Sequence, residues 1–228
     1  MFKFFHQPLL FCALFLTVAL AQALPKNITL EYEVTRDGKP FATIKEKFSQ
    51  GGGRYKIESV TKGIGLYALF GERKLTSEGL VNADGLQPQH FELHQGDNSN
   101  KSLINDFNWR EQTLQMMVKG KAKTLPLPAG TQDLLSFAYQ FMFAPPLKDS
   151  LSVTLTTGKK VNVYDYTLAA RGAALATANT TYQTVQLTSV DKKQLWLAEA
   201  THYLVVRYSQ LEDAGAVLEQ TLTKMQVD

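Results

Sequence analysis

Few side chains in this 228-residue chain have the types and spacing that chemistry at a site demands. His90 and His94 come first, because two histidines four positions apart chelate one ion on a helix. Pro88 and the alternation around Phe91 and Leu93 instead predict a strand, on which both imidazoles share a face about 13 Å apart. One ion cannot take both, so no metal site is expected. His202 completes the candidate bases, and Asp106 and Asp133 are the candidate carboxylates. Asp106 lies close to Trp109, which would raise its pKa for general-acid work, although a turn or strand-end carboxylate is the plainer reading. Asp133 is better explained by a helix start. Several serines are present, yet none has the spacing of a nucleophile elbow. No triad is recognisable, so no catalytic residue and no cofactor is assigned. The run Gly51-Gly52-Gly53 lacks the Lys-Ser/Thr and helix start of a phosphate cradle and reads as a turn.

Cys12 is the only cysteine. Lys3 precedes the apolar run Pro8 to Ala21, and Ala21-Gln22-Ala23 has the small-x-small pattern of a signal peptidase site. Cleavage after Ala23 and delivery to the periplasm are expected, with a retained anchor as the alternative. Lipid attachment at Cys12 is disfavoured, because Phe11 stands where a lipoprotein signal wants a small residue. The mature chain then has no thiol, which removes disulfides, Cys nucleophiles and Cys-based zinc or iron sites together. Removing residues 1–23 from the 228 leaves 205, enough for a single β domain that buries about 70% of its unfolded surface. Losing Lys3 takes the formal charge from +3 to +2, without the concentrated basic charge of a nucleic-acid binder. No other stretch is apolar for long enough to cross a bilayer as a helix.

The elements that must position any site are mostly short strands. Leu30, Tyr32 and Val34 alternate with Thr29, Glu31, Glu33 and Thr35, and Asp37-Gly38 is a hairpin turn. A return strand over Phe41 to Phe48 and a third from Tyr55 continue the meander. Further strands are expected at Leu75 to Asn82, Gln89 to Gln95, Lys101 to Trp109 and Thr113 to Val118. After the middle of the chain they follow at Leu151 to Thr156, Lys160 to Leu168, Tyr182 to Leu187, Gln194 to Ala198, Tyr203 to Leu211 and Ala216 to Met225. Gly158, Gly172 and Gly215 are placed at or near turns. Short links make neighbours antiparallel, and around a dozen strands must roll up or close. The fold class is therefore mainly β: an antiparallel rolled sheet or partial β-barrel, with one apolar helix packed in or across it.

That helix is predicted over Gln132 to Phe143. Pro126 and Pro128 keep its approach extended, Thr131 caps it, Asp133 supplies first-turn charge, and Pro145-Pro146 stop it. Leu134, Leu135, Ala138, Phe141 and Met142 form a stripe of helical period, while Phe137, Tyr139 and Phe143 make the other face apolar too. Gly63 to Gly71 is apolar without alternation and is bracketed by glycines, which predicts a loop or a single helical turn over one end of the sheet.

The chain resembles the bacterial exported family DUF3108, a domain of unknown function, over most of its mature length. The resemblance rests on Tyr32, the Gly63 to Leu69 segment, Ser77-Glu78-Gly79, Gly85-Leu86-Gln87-Pro88 and Asp106 to Trp109. It continues in Leu127-Pro128-Ala129-Gly130-Thr131-Gln132-Asp133-Leu134-Leu135-Ser136, in Leu195-Trp196-Leu197 and in Tyr203-Leu204-Val205-Val206-Arg207. Two departures stand out: the family usually has an acidic residue where Gly172-Ala173 stands and a proline where Val205 stands. The resemblance implies an antiparallel roll in the periplasm and supplies no activity or catalytic residue.

Three functions compete. The first is a non-enzymatic envelope protein holding an apolar or lipid-like ligand between curved sheet and helix. Leu66, Tyr67, Leu69 and Phe70 from the loop and Leu135, Tyr139 and Met142 from the helix are its expected contacts. The second is a structural module with a filled core that docks an envelope protein partner through its sheet edges or the loop. A hydrolase is the third and least favoured.

Overall fold

The computed structural model describes residues 24–96, 102–146 and 148–228; the expected leader and its cleavage site lie outside them. Alternation sets the sheet faces as expected. In β1 (Asn27–Arg36), Ile28, Leu30, Tyr32 and Val34 are buried while Glu31 and Glu33 are not. The same parity runs on through β2 (Lys39–Gly51) and β3 (Arg54–Gly63), then β4 (Arg73–Asn82) and β5 (Gly85–Gln95). The first half ends with β6 (Leu103–Asn108), β7 (Thr113–Val118) and β8 (Lys121–Pro126). The second half comprises β9 (Ser150–Thr156), β10 (Val161–Ala176), β11 (Thr181–Ser189), β12 (Lys193–Ala198), β13 (Leu204–Leu211) and β14 (Val217–Val227).

These form one unclosed antiparallel sheet of 14 strands in the order β8-β7-β6-β5-β4-β3-β2-β1-β14-β13-β12-β11-β10-β9. Each half is a meander, and the pairing of β1 with β14 joins them. Several strand expectations differ from the structure: β10 runs on to Ala176 rather than ending at Leu168, and β5 begins at Gly85 rather than Gln89. Lys121–Pro126 is a strand, β8, rather than only an extended approach. Gly172 lies inside β10, at a register shift between Arg171 and Ala173, so its positive φ of 66° makes a bulge rather than a turn.

The segment from Leu127 to Pro146 links the two edge strands and runs through the interior. Its residue Gln132 bridges Leu155 of β9 in parallel and donates its side-chain amide to the Leu86 carbonyl of β5 at 2.9 Å. In the strand order β5 and β9 are ten spacings apart, which would be about 48 Å in a flat sheet. One residue reaches both, so the sheet curves around this plug.

The plug is not the expected three-turn helix from Gln132 to Phe143. Only Ser136–Gln140 (α1) is α-helical. Backbone hydrogen bonds explain why. The Gln132 N–H and C=O are used by Thr154 and Thr156 of β9, so the helix cannot begin there. Ala138 N–H bonds Leu135 O, and Met142 N–H bonds Tyr139 O, the tighter three-residue spacing that marks frayed helix ends. Phe137, Tyr139, Phe141 and Met142 are all buried. With apolar residues all round, tertiary packing rather than helical hydrogen bonding holds the segment.

Two hydrophobic clusters meet at the plug. Leu135, Tyr139 and Met142 pack with β1 to β7 and with Leu204, Val206 and Leu222. Phe137 and Phe141 pack with Leu155, Tyr166, Val185, Leu187 and Leu197 of the second half.

Candidate functional site

Asp133 anchors the plug to the sheet. It is fully buried, and its Oδ2 accepts from the Ser77 hydroxyl of β4 at 2.6 Å. Its Oδ1 accepts from the N–H groups of Leu135 and Ser136 at 2.8 and 2.9 Å, while Ser136 Oγ accepts from the Asp133 N–H at 2.9 Å. Asp133 thus satisfies the free N–H groups at the start of α1. Thr131, expected as the cap, donates instead to Pro128 O at 2.7 Å. Burial pushes the Asp133 carboxyl pKa up, against the hydrogen bonds from Ser77 and Ser136, which pull it down.

A second carboxylate, Glu46 of β2, also faces inward. Ser59 donates to its Oε1 and Tyr139 to its Oε2, each at 3.2 Å. Burial drives the Glu46 pKa up to about 7, with those hydrogen bonds opposing. Glu46 is not among the candidates that residue type and spacing single out, although it lies on the parity of Ala42 and Phe48, both buried.

His90 and His94 lie on the opposite face of the sheet. His90 Nδ1 is 2.7 Å from Asp106 Oδ1, and His94 Nδ1 is 2.9 Å from Ser102 Oγ. Glu92 lies between them, with Oε2 at 3.8 Å from His90 Nε2 and 3.1 Å from His94 Nε2. Among the described residues no group of three or more such side chains could hold a metal ion. Asp106 therefore pairs with His90, while Trp109 Nε1 donates to Pro88 O at 2.6 Å. His202 occupies a left-handed turn position with φ 55°.

The seven expected ligand contacts fall into two environments. Leu135, Tyr139 and Met142 are packed in the first cluster, and Tyr139 stacks on Phe48 at 5.1 Å. Gly65–Phe70 forms a 3-10 helix with no buried residue. Leu66, Leu69 and Phe70 are 81%, 82% and 65% exposed, whereas the Tyr67 ring lies against Phe41 at 4.4 Å. Gly63 is required before this helix, since a Cβ there would sit 2.4 Å from the Tyr67 carbonyl. None of the seven lines the two clefts beside the plug.

One cleft, of about 330 Å³, lies between the β4–β5 turn, Phe137, Gln140 and Phe141 of the plug, and Leu151 to Thr154 of β9. Gln140 ties this turn down: its Oε1 accepts from Leu86 N–H and its Nε2 donates to Asp84 O, both at 2.7 Å. The other cleft, of about 470 Å³, is lined by Leu93, Leu103 and Leu134 with Arg73, Gln95, Thr157, Lys119 and Lys159. Cross-strand register orders its wall. Arg73 pairs with Gln95 at the rim, and Leu75, Leu93 and Leu103 form the next layer. Ser77, Phe91 and Asn105 lie below, and the buried Asn105 amide has no partner among the described residues. The rim adjoins the 3-10 helix, because Gln95 Nε2 donates to the carbonyls of Phe70 and Gly71 at 3.0 and 3.2 Å.

A family model described as "Protein of unknown function (DUF3108)" matches residues 31–223. The chain belongs to the DUF3108 family. No curated protein matches it in sequence. The crystal structure of a LolA superfamily protein from Nitrosomonas europaea is similar over 90% of this chain and 86% of that one. Its identity is 10% and its TM-score 0.22, too slight a likeness to bear on function.

The DUF3108 landmarks in this sequence meet one another in space. Ser77 bonds Asp133, Leu86 bonds Gln132, Pro88 bonds Trp109, and the Tyr32 hydroxyl donates to Val205 O at 3.0 Å. The Arg207 guanidinium lies over the Trp196 ring at 5.9 Å. The landmarks therefore hold plug to sheet and strand to strand. They mark the frame of the fold.

Proposed function

We propose that this DUF3108 protein is an exported, periplasmic envelope protein that holds an apolar or lipid-like ligand in its curved sheet. The observation that carries the reading is the tether between the cleft and the 3-10 helix that bears exposed Leu66, Leu69 and Phe70: Gln95, which lines the Leu93, Leu103 and Leu134 cleft, donates to the backbone carbonyls of Phe70 and Gly71. Three large apolar side chains left in water beside an apolar cleft of ligand size need a cover. Leu66, Leu69 and Phe70 would close over the ligand, with Tyr67 as their footing on Phe41. Leu134 packs against the buried cluster that contains Leu135, Tyr139 and Met142.

Native mass spectrometry of the mature protein, followed by organic extraction, tests this reading. A lipid that co-purifies reproducibly supports it, and a protein that is always empty counts against it. N-terminal sequencing of the exported protein tests export: a chain starting at Leu24 is expected, and a membrane-bound form starting at Met1 would overturn it.

A second reading is a protein-interaction module of the envelope with a filled core. It draws on the edge strand β8, which has a strand partner on one side only, whereas the free side of β9 is bridged at Leu155 by Gln132 of the plug. Among the described residues no helix is long and apolar enough to cross a membrane, which fits either reading.

A further inference from the structure

The rim of the larger cleft is cationic as well as apolar. Arg73 lies on the inward parity of β4, with Leu75 and Ser77, and is half-buried. Lys119, in the β7–β8 turn, and Lys159, just after β9, line the same cleft, and no carboxylate does. None of the three makes an ion pair among the described residues. The nearby carboxylate Glu72 is engaged outside the cleft by Lys62 and Lys74 at 2.9 and 3.5 Å. Burial disfavours the charged Arg73 guanidinium and lowers its pKa. A group in that position gains most from an anion brought to it.

We infer that the cleft binds an amphiphile with an anionic head, the head held by Arg73 with Lys119 and Lys159 and the chain laid along Leu93, Leu103 and Leu134. This rests on the apolar-ligand reading above and adds the chemistry of the head. The geometry assigns the ends: the cations stand at the rim, and the leucine layer lies two residue pairs deeper, the next pair that faces inward. Arg73 carries most of the selectivity, because charge-assisted hydrogen bonds strengthen as water is excluded, whereas exposed lysines contribute little each. The head is a carboxylate or a phosphate; both accept a guanidinium's paired donors.

The test is a titration of the mature protein with a dansyl-labelled undecanoic acid and with its methyl ester, at low and high salt. Competition by a lysophospholipid with a phosphate head distinguishes the two head types. The acid is expected to bind at least about tenfold tighter than the ester, with the gap narrowing at high salt. Arg73→Gln should remove most of that preference and Arg73→Lys should restore part of it. Lys119→Gln with Lys159→Gln, both on exposed side chains that leave the core intact, should reduce it about two- to fivefold. Equal binding of acid and ester by the wild type, or a preference untouched in all these variants, overturns the anionic head and leaves the apolar reading standing. Binding of neither probe overturns both.

Discussion

Ser77 and Asp133, 56 residues apart in sequence, meet at 2.6 Å in a site from which water is excluded. One bond fixes β4 to the plug, and the same carboxylate organises the backbone of α1 through Leu135 and Ser136. Asp133→Ala leaves a buried hydroxyl and two N–H groups without an acceptor. It should destabilise the protein by about 2–4 kcal/mol. Asp133→Asn keeps one acceptor oxygen and should lose less. Urea unfolding of both variants checks this, and an Ala variant as stable as wild type would contradict the anchoring role.

Glu46 gives the fold a pH dependence of definite sign. Its pKa rises from an ordinary 4.5 to about 7 on folding. Below the ordinary value both states are protonated and Glu46 imposes no penalty. As pH rises through the window from 4.5 to 7 the unfolded chain ionises first, and stability falls. Glu46→Gln should therefore raise stability above the window by up to about 3 kcal/mol and change it little below. The amide oxygen still accepts from Tyr139, while the hydroxyl of Ser59 accepts from the new NH₂. Melting curves across this range, showing no pH-dependent difference between the two proteins, would count against a buried neutral Glu46.

Leu135 and Phe141 pack in different clusters, so each half of the sheet depends on the plug. Leu135→Asp and Phe141→Asp should each cost several kcal/mol and loosen or unfold the domain. Leu66→Asp, on an 81% exposed side chain, should leave the melting temperature within a few degrees of wild type. Circular dichroism melts separate the two cases.

Ser136→Ala removes the acceptor of the Asp133 N–H, a buried hydrogen bond, and should cost about 1–2 kcal/mol. Gln140→Ala has a local signature instead. Without the side-chain oxygen, the Leu86 amide loses its acceptor at 2.7 Å and should exchange with deuterium faster than its neighbours in β5. Gly85, whose φ is 104° and whose added Cβ would lie 2.5 Å from Gln140 Oε1, should tolerate no larger residue while that clamp is in place.

Side-chain alternation makes most of the strands legible from the residues alone, because in a half-buried strand every second residue faces the core. Ile28 to Val34 and the turn at Asp37-Gly38 fall where that period places them. The same parity carries two further signals: Glu46 and Arg73 stand on the inward face of their strands. A polar residue on that parity is equally compatible with a strand end or a rim, so alternation by itself does not pick either one out. The stripe from Leu134 to Met142 has helical period, yet period measures only what the segment could do in isolation. The backbone of Gln132 is taken by β9, a partner 23 residues onward, and no local rule contains that competition. Composition places the apolar residues of the plug in the interior, where packing on both sides leaves only Ser136–Gln140 helical. The meeting of Ser77 with Asp133, of Tyr139 with Glu46, and of Arg73 with Lys119 and Lys159 is decided by the tertiary structure alone. Each depends on how far the sheet curves, and curvature is set by every strand pair and by the plug together.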